Sequence, residues 1–285
     1  MRSGRVGSLL LRNPAALAGS AVLVVLTLAA ILADRLALHD PVRQNLLLAR
    51  QAPLGWPGGS LAYPAGTDGL GRDILSRIIY GARVSLAVGI GSVTIAGSVG
   101  VGLGLVAGYR GGWWDDVIMR LGDIQLAFPA LVLAIALMAV LGAGLTNVIL
   151  VLALTNWVTY ARVVRGEVLS LRNREFVHAA RLMGVPDARI MLRHILPNVV
   201  APVIVVASFT VAQVIIAEAT LSFLGIGVPP PTPSWGSMIA EGRQYLSSAW
   251  WIMTVPGLVL MAVLLAFNLV GDWLRDVLDP RLRRL

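Results

Sequence analysis

The chain has 285 residues, 57% hydrophobic and only 13% charged, whereas a water-soluble domain carries about 25% charged residues; much of its surface must face lipid. Cysteine is absent, which excludes disulfides, thiolate metal sites and cysteine nucleophiles. The net charge of +8 comes entirely from arginine, so a P-loop lysine is excluded, and because the arginines flank apolar runs a nucleic-acid-binding role is disfavoured.

The first apolar run, 15–33, follows Asn13, a good N-cap, and Pro14, which suits the first helical position. It is long enough to cross a bilayer, and no clean Ala-x-Ala site follows. It is predicted to be an uncleaved membrane helix and not a signal peptide. A polar loop at 34–83, rich in proline and glycine, is long enough to be functional. Further spans are predicted at 84–108, 126–142, 145–161, 199–224 and 251–271, with Trp113 to Gln125 opening the third as an interfacial helix. The predicted fold class is all-α: a polytopic membrane protein with six transmembrane helices. Its parts are 1–83 (first helix and outer loop), 84–273 (a five-helix core with an inner loop at 162–198) and 274–285 (a tail).

Sixteen arginines fall on segments that share a side with the N-terminus, and seven on the other side. The positive-inside rule then places both termini and the 162–198 loop in the cytoplasm. Outer aromatics Trp235, Tyr245, Trp250 and Trp251 are expected to anchor at the membrane interface, with contact to a solute as the alternative.

The second span carries Ser92, Ala96, Gly100, Gly104 and Gly108 at spacings of four. Small residues on one stripe let a second helix approach closely, so Gly100, Gly104 and Gly108 are predicted helix-packing positions. Ionisable groups are scarce inside the spans, and Glu218 is the clear exception. Gln213, Glu218 and Ser222 are candidates to line or gate a passage; the alternative for Glu218 is a structural hydrogen bond to a neighbouring helix. Secondary transporters usually carry several midplane carboxylates. Their scarcity here argues against a stand-alone transporter or channel and for energy supplied from the cytoplasmic face. An enzyme is disfavoured as well: His39, His178 and His194 lie in separate segments, and no nucleophile, base or metal constellation is visible. Asp115, Asp116 and Asp123 are not read as metal ligands, and Asp116 and Arg120 are predicted to form a surface ion pair.

The inner loop from Arg172 to Asn198 is the most specific signal. Phe176, Ala179, Ala180 and Met183 recur at helical spacing. Gly184 is placed to end a helix in a left-handed cap, and Pro186-Asp187 to start the next. Such a short amphipathic pair suits a partner's groove, with an interfacial helix on the inner leaflet as the alternative.

This segment resembles the EAA loop of bacterial ABC-importer permeases through Ala179, Ala180, Gly184 and Leu196-Pro197; His178 stands at the usual glutamate position and His194 where isoleucine is preferred. Other stretches are similar to the dipeptide/oligopeptide/nickel permeases: Gly66 to Arg77, Tyr80 to Leu86, Met119-Arg120 with Asp123 and Phe128-Pro129, Arg193 to Asn198, Glu218 to Gly225, Pro233 to Gly236, and Asp272 to Asp276 with Asp279-Pro280-Arg281. The resemblance runs over roughly 5–285. It implies a type I ABC importer permease fold in a bacterial inner membrane. It also implies a second homologous permease subunit, two cytoplasmic ABC ATPase subunits that hold ATP and Mg, and an extracytoplasmic solute-binding protein. No cofactor, metal or catalytic residue is then expected on this chain. By the same resemblance, His178, Ala179, Ala180, Arg181, Met183, Gly184, Leu196 and Pro197 couple to an ATPase. The cargo class spans dipeptides, longer peptides, glutathione-like compounds and nickel complexes.

Overall fold

A computed structural model describes residues 13–278. The flanking Arg2, Arg5, Arg12, Arg281, Arg283 and Arg284, and the Asp279-Pro280-Arg281 motif, lie outside the described residues. Among the described residues there are helices and loops but no β-strand.

Helix α1 spans Pro14–Ile31 and α2 spans Ala33–Leu36. Asn13 caps α1 as its sequence suggests, its side-chain oxygen accepting from the Ala16 amide at 3.1 Å. Hydrogen bonds from Arg83 and Tyr80 grip Asp34 and hold its carboxyl down at about 2.

The outer loop is shorter than predicted. It ends at Asp73, whose carboxylate accepts from the Ser76 amide at 2.9 Å and starts α3, Ile74–Arg110. Residues 74–83 read as polar because of Arg77, Tyr80 and Arg83, but tertiary partners neutralise these groups and the helix runs on. The boundary at 83/84 therefore moves to 73/74.

Helices α4 (Gly112–Leu126) and α5 (Ala130–Leu141) are bent 88° to one another. Helix α6 spans Leu145–Leu171, ten residues beyond the predicted span. Asp115 and Asp123 of α4 pair with Arg165 and Arg162 of α6 at 2.5 Å each. Among the described residues no ion pair joins Asp116 to Arg120, so that expectation is corrected: the acids of α4 reach across to α6 instead. Beyond α5, Gly144 donates to the Gly227 carbonyl at the opposite end of the bundle. Among the described residues five helices are long and apolar enough to cross a membrane, and six spans result if this bent pair counts as one.

After α7 (Glu175–Leu182) and α8 (Asp187–Arg189), a π-helical turn at Ile190–Ile195 leads without a break into α9, Leu196–Phe223. The predicted second short helix of the inner loop is therefore the start of the fifth span. Pro197 explains the widened turn. Its ring cannot fit against the carbonyl four residues earlier in a regular helix. Asn198 helps by donating to the exposed His194 carbonyl at 2.6 Å. Helix α10 (Trp235–Gly242) sits over the opposite end, and α11 (Trp251–Leu278) makes the last crossing, continuing past the predicted boundary at 273.

The glycine stripe of α3 lies directly on α6. A β-carbon at Gly100 would fall 2.4 Å from the Trp157 carbonyl oxygen, one at Gly104 2.6 Å from that of Ala161, and one at Gly108 2.7 Å from Val168 Cβ. The two backbones touch along this seam, which only glycine permits. Trp235 and Trp251 are not surface anchors: Trp235 is fully buried and donates to the Ile78 carbonyl, and Trp251 donates to that of Thr67. Trp250 stacks edge-on between Trp56 and Trp251.

Candidate functional site

The segment from Arg172 to Ile195 projects from one end of the bundle. Helix α7 ends in a Schellman cap: Gly184 takes φ +73°, its amide donates to Arg181, and the Val185 amide donates to Ala180. Val177 and Ala180 turn inward onto Tyr109, Val164, Val168 and Ile190. Phe176, His178, Ala179, Arg181, Leu182, Met183 and Gly184 are exposed. Leu182 is 89% and Met183 75% exposed, two adjacent large apolar side chains at the end of α7. Ala180 belongs to the base of this projection and not to its face, because the helix packs through that side. Leu196 and Pro197 sit at the junction with α9, apart from the projecting face.

Three contacts bind the projection to the end of α3. The Tyr109 hydroxyl donates to Asp187 at 2.6 Å. The Arg181 guanidinium lies 5.0 Å from the Tyr109 ring centroid and donates to its oxygen. Arg172 donates to the Gly108 carbonyl at 2.9 Å. Tyr109 was not legible as part of this site, since nothing in the sequence connects a residue at the end of one span with a loop far along the chain.

The predicted passage residues separate. Glu218 is fully buried, receives the Ser222 hydroxyl at 2.7 Å and faces Ser85 of α3 at 3.5 Å. Ser222 Oγ also accepts from the Val228 amide. Glu218 and Ser222 therefore join α9 to α3 and to the following loop. Gln213 lies on the other side of α9 and is exposed.

At the far end, Asp68, Arg72, Arg77 and Glu241 form an ionic cluster. Arg72 reaches Asp68 and Glu241 at 2.6 Å each; Arg77 pairs with Asp68 and reaches Glu241 at 2.8 Å. Both arginines and Asp68 are buried, so the charges balance in a site with little water. The cluster fastens the outer loop to α10. Asp68, Arg72 and Arg77 were visible in the sequence, but Glu241 was not connected to them. Among the described residues no group of His, Cys, Asp or Glu is placed to hold a metal ion.

Residues 100–284 match the family described as binding-protein-dependent transport system inner membrane component. Residues 6–53 match the N-terminal TM domain of oligopeptide transport permease C. Among relatives, the Di/tripeptide transport system permease protein DppC of Pseudomonas aeruginosa is 43% identical over 95% of this chain and 89% of its own length. DppC of Haemophilus influenzae, a dipeptide transport system permease protein, is 42% identical over 96% and 92%. The Glutathione transport system permease protein GsiD of Pectobacterium atrosepticum is 46% identical over 79% and 75%. A chain of the inward-facing MetNI methionine ABC transporter superposes with a TM-score of 0.58 at 17% identity, over 71% of this chain and 96% of that one, and so shares the fold. Matched by both segments and by relatives aligned over most of their length, this multi-pass membrane chain belongs to the dipeptide/oligopeptide branch of the binding-protein-dependent ABC transport permeases.

Proposed function

We propose that this chain is a permease subunit of an ATP-driven importer of di- and oligopeptides in a bacterial inner membrane. It pairs with a second homologous permease, docks two cytoplasmic ATPase subunits through the complex, and receives solute from an extracytoplasmic binding protein. ATP and Mg bind in the ATPases; this chain, without lysine, has no P-loop of its own. Both termini and the α7 projection are cytoplasmic, a reading supported by the arginine asymmetry. The peptide cargo is supported by relatives whose names specify dipeptides, tripeptides or glutathione.

The observation that carries the coupling role is the pair Leu182 and Met183, held out on a capped helix with an apolar base. A rigid projection with a greasy tip suits helix-in-groove docking. When ATP closes the ATPases, the docked α7 shifts as a rigid body. Tyr109 and Arg172 pass that shift to α3, and the continuous backbone through the π turn passes it to α9. Helices α3 and α6, touching along their glycine seam, move as one unit between inward-open and outward-open packings.

The test is reconstitution. The wild-type chain should co-purify with an ATPase, and proteoliposomes holding all partners should take up a labelled dipeptide only with ATP. A Leu182→Asp, Met183→Asp double variant should insert normally but lose the ATPase. Solute movement by this chain alone, or an ATPase retained by the double variant, would overturn the reading.

A further inference from the structure

Gln213, Ile216, Thr220 and Phe223 recur at three- and four-residue spacing along α9 and share one face. The opposite face packs Ile215, Glu218 and Ser222 into the protein. Gln213 is exposed, and among the described residues its side-chain amide makes no hydrogen bond. An amide so placed on a membrane-crossing helix is costly against hydrocarbon, where its donors have no partner. This face therefore suits water, solute or another protein surface better than lipid.

At the α10 end the same face opens into a cavity of about 200 Å³ lined by Ile216, Ala219, Thr220, Phe223, Ile239 and Leu260. Its walls are apolar, and the Thr220 hydroxyl is committed to the Ile216 carbonyl at 2.8 Å. The volume is below the roughly 300–1,000 Å³ of whole small-molecule sites, and it matches a single side chain. Arg243 stands one helical turn beyond Ile239 with its Cζ 5.7 Å from the Phe223 ring centroid. Arg72 and Arg77, by contrast, are neutralised by carboxylates. Among the described residues no carboxylate pairs with Arg243. The exposed guanidinium lies against Phe223 and is free to take an anion in bidentate fashion.

We propose that this cavity and Arg243 form a transit subsite for the C-terminal residue of an imported peptide, side chain in the cavity and carboxylate on the guanidinium. The proposal rests on the peptide reading and adds to it the end of the peptide that this chain recognises. One charged contact beside a shallow apolar pocket suits a solute that must leave again.

The test uses the complete complex in proteoliposomes and saturating peptides that differ only in a free or amidated C-terminus. The binding protein is the same throughout, so its own preference cancels when variants are compared. Arg243→Gln should lower the uptake ratio of free acid to amide about tenfold, the loss of one hydrogen-bonded charge contact. Arg243→Lys should restore part of it, keeping the charge without the fork. Thr220→Leu, which fills the cavity, should lower the uptake ratio of C-terminal Phe to C-terminal Gly peptides about tenfold. Unchanged ratios in both variants overturn the subsite and leave the cavity facing lipid. A ratio that moves in only one variant overturns the two-part site. If the wild-type complex imports neither form of any peptide, the peptide reading itself fails.

Discussion

Tyr109 closes α3 and Asp187 opens the helix that becomes α9, and the tyrosine hydroxyl joins them at 2.6 Å. Tyr109 is buried and Asp187 exposed, so the bond sits at the rim of the apolar base beneath α7. Removing the hydroxyl should loosen α3 from the docking segment without disturbing the tip that meets the ATPase. Tyr109→Phe is expected to cost about 1 kcal/mol at this joint and to lower peptide transported per ATP hydrolysed about fivefold, with ATPase binding retained. Simultaneous measurement of uptake and phosphate release checks it. An unchanged ratio would mean that α9 alone carries the motion.

The apolar spans were legible because each run is about as long as the bilayer is thick. Their ends were not. Arg77 and Arg83 look like loop residues until Asp68, Glu241 and Asp34 are seen to neutralise them. Residues 162–171 and 187–198 look like inner loop until Val164, Val168, Ile190 and Ile195 are seen packed together. At the docking segment, Gly184 and its cap were readable because a left-handed glycine has a strong local signature. Which of Ala179 and Ala180 faces outward was not, since that depends on how α7 lies against Tyr109. Gln213 and Glu218 were equally conspicuous in the sequence, and only the packing of α9 on α3 decides that one is buried and the other exposed.

The glycine seam supplies its own control. Gly104→Val would drive a side chain into the Ala161 carbonyl, whereas a β-carbon placed at Gly102, on the same helix, would meet nothing within 4 Å. Gly104→Val is expected to destabilise by about 1–3 kcal/mol, the usual cost of overpacking, and Gly102→Val to stay within about 0.5 kcal/mol, as exposed changes do. Thermal unfolding in detergent and the yield of folded protein distinguish them. Equal losses would show that the seam is not a close contact.

Glu218 offers a test of structural against transport roles. Glu218→Ala leaves the buried Ser85 and Ser222 hydroxyls without their acceptor; the expected cost is about 1–3 kcal/mol. Glu218→Gln keeps an acceptor oxygen and should cost less. Whatever transport survives should keep its solute preference in both variants, because the side chain is buried within its own chain. A changed preference in a peptide panel would place Glu218 on the solute's path after all.

The ionic cluster under the outer loop carries the largest predicted loss. Asp68 pairs with both arginines and is at least as deeply buried as Arg72, while Glu241 keeps a third of its side chain in solvent. Asp68→Asn strands two guanidiniums on one partly hydrated carboxylate, and breaking a buried pair from one side costs about 3–5 kcal/mol. Glu241→Gln removes the more exposed partner, where solvent screens the charge, and should cost about 1 kcal/mol or less. The consequence of the first change is local: the loop from Leu38 to Gly66 loses its fastening to α10 and becomes open to protease, while the spans stay folded. Limited proteolysis in native membranes reads this directly, since Asp68→Asn should be cut in that loop faster than wild type and Glu241→Gln should not. Equal resistance in all three would show that the backbone bonds of Arg50 and Thr67 to Asp68 and Gln51 hold the loop without the charges.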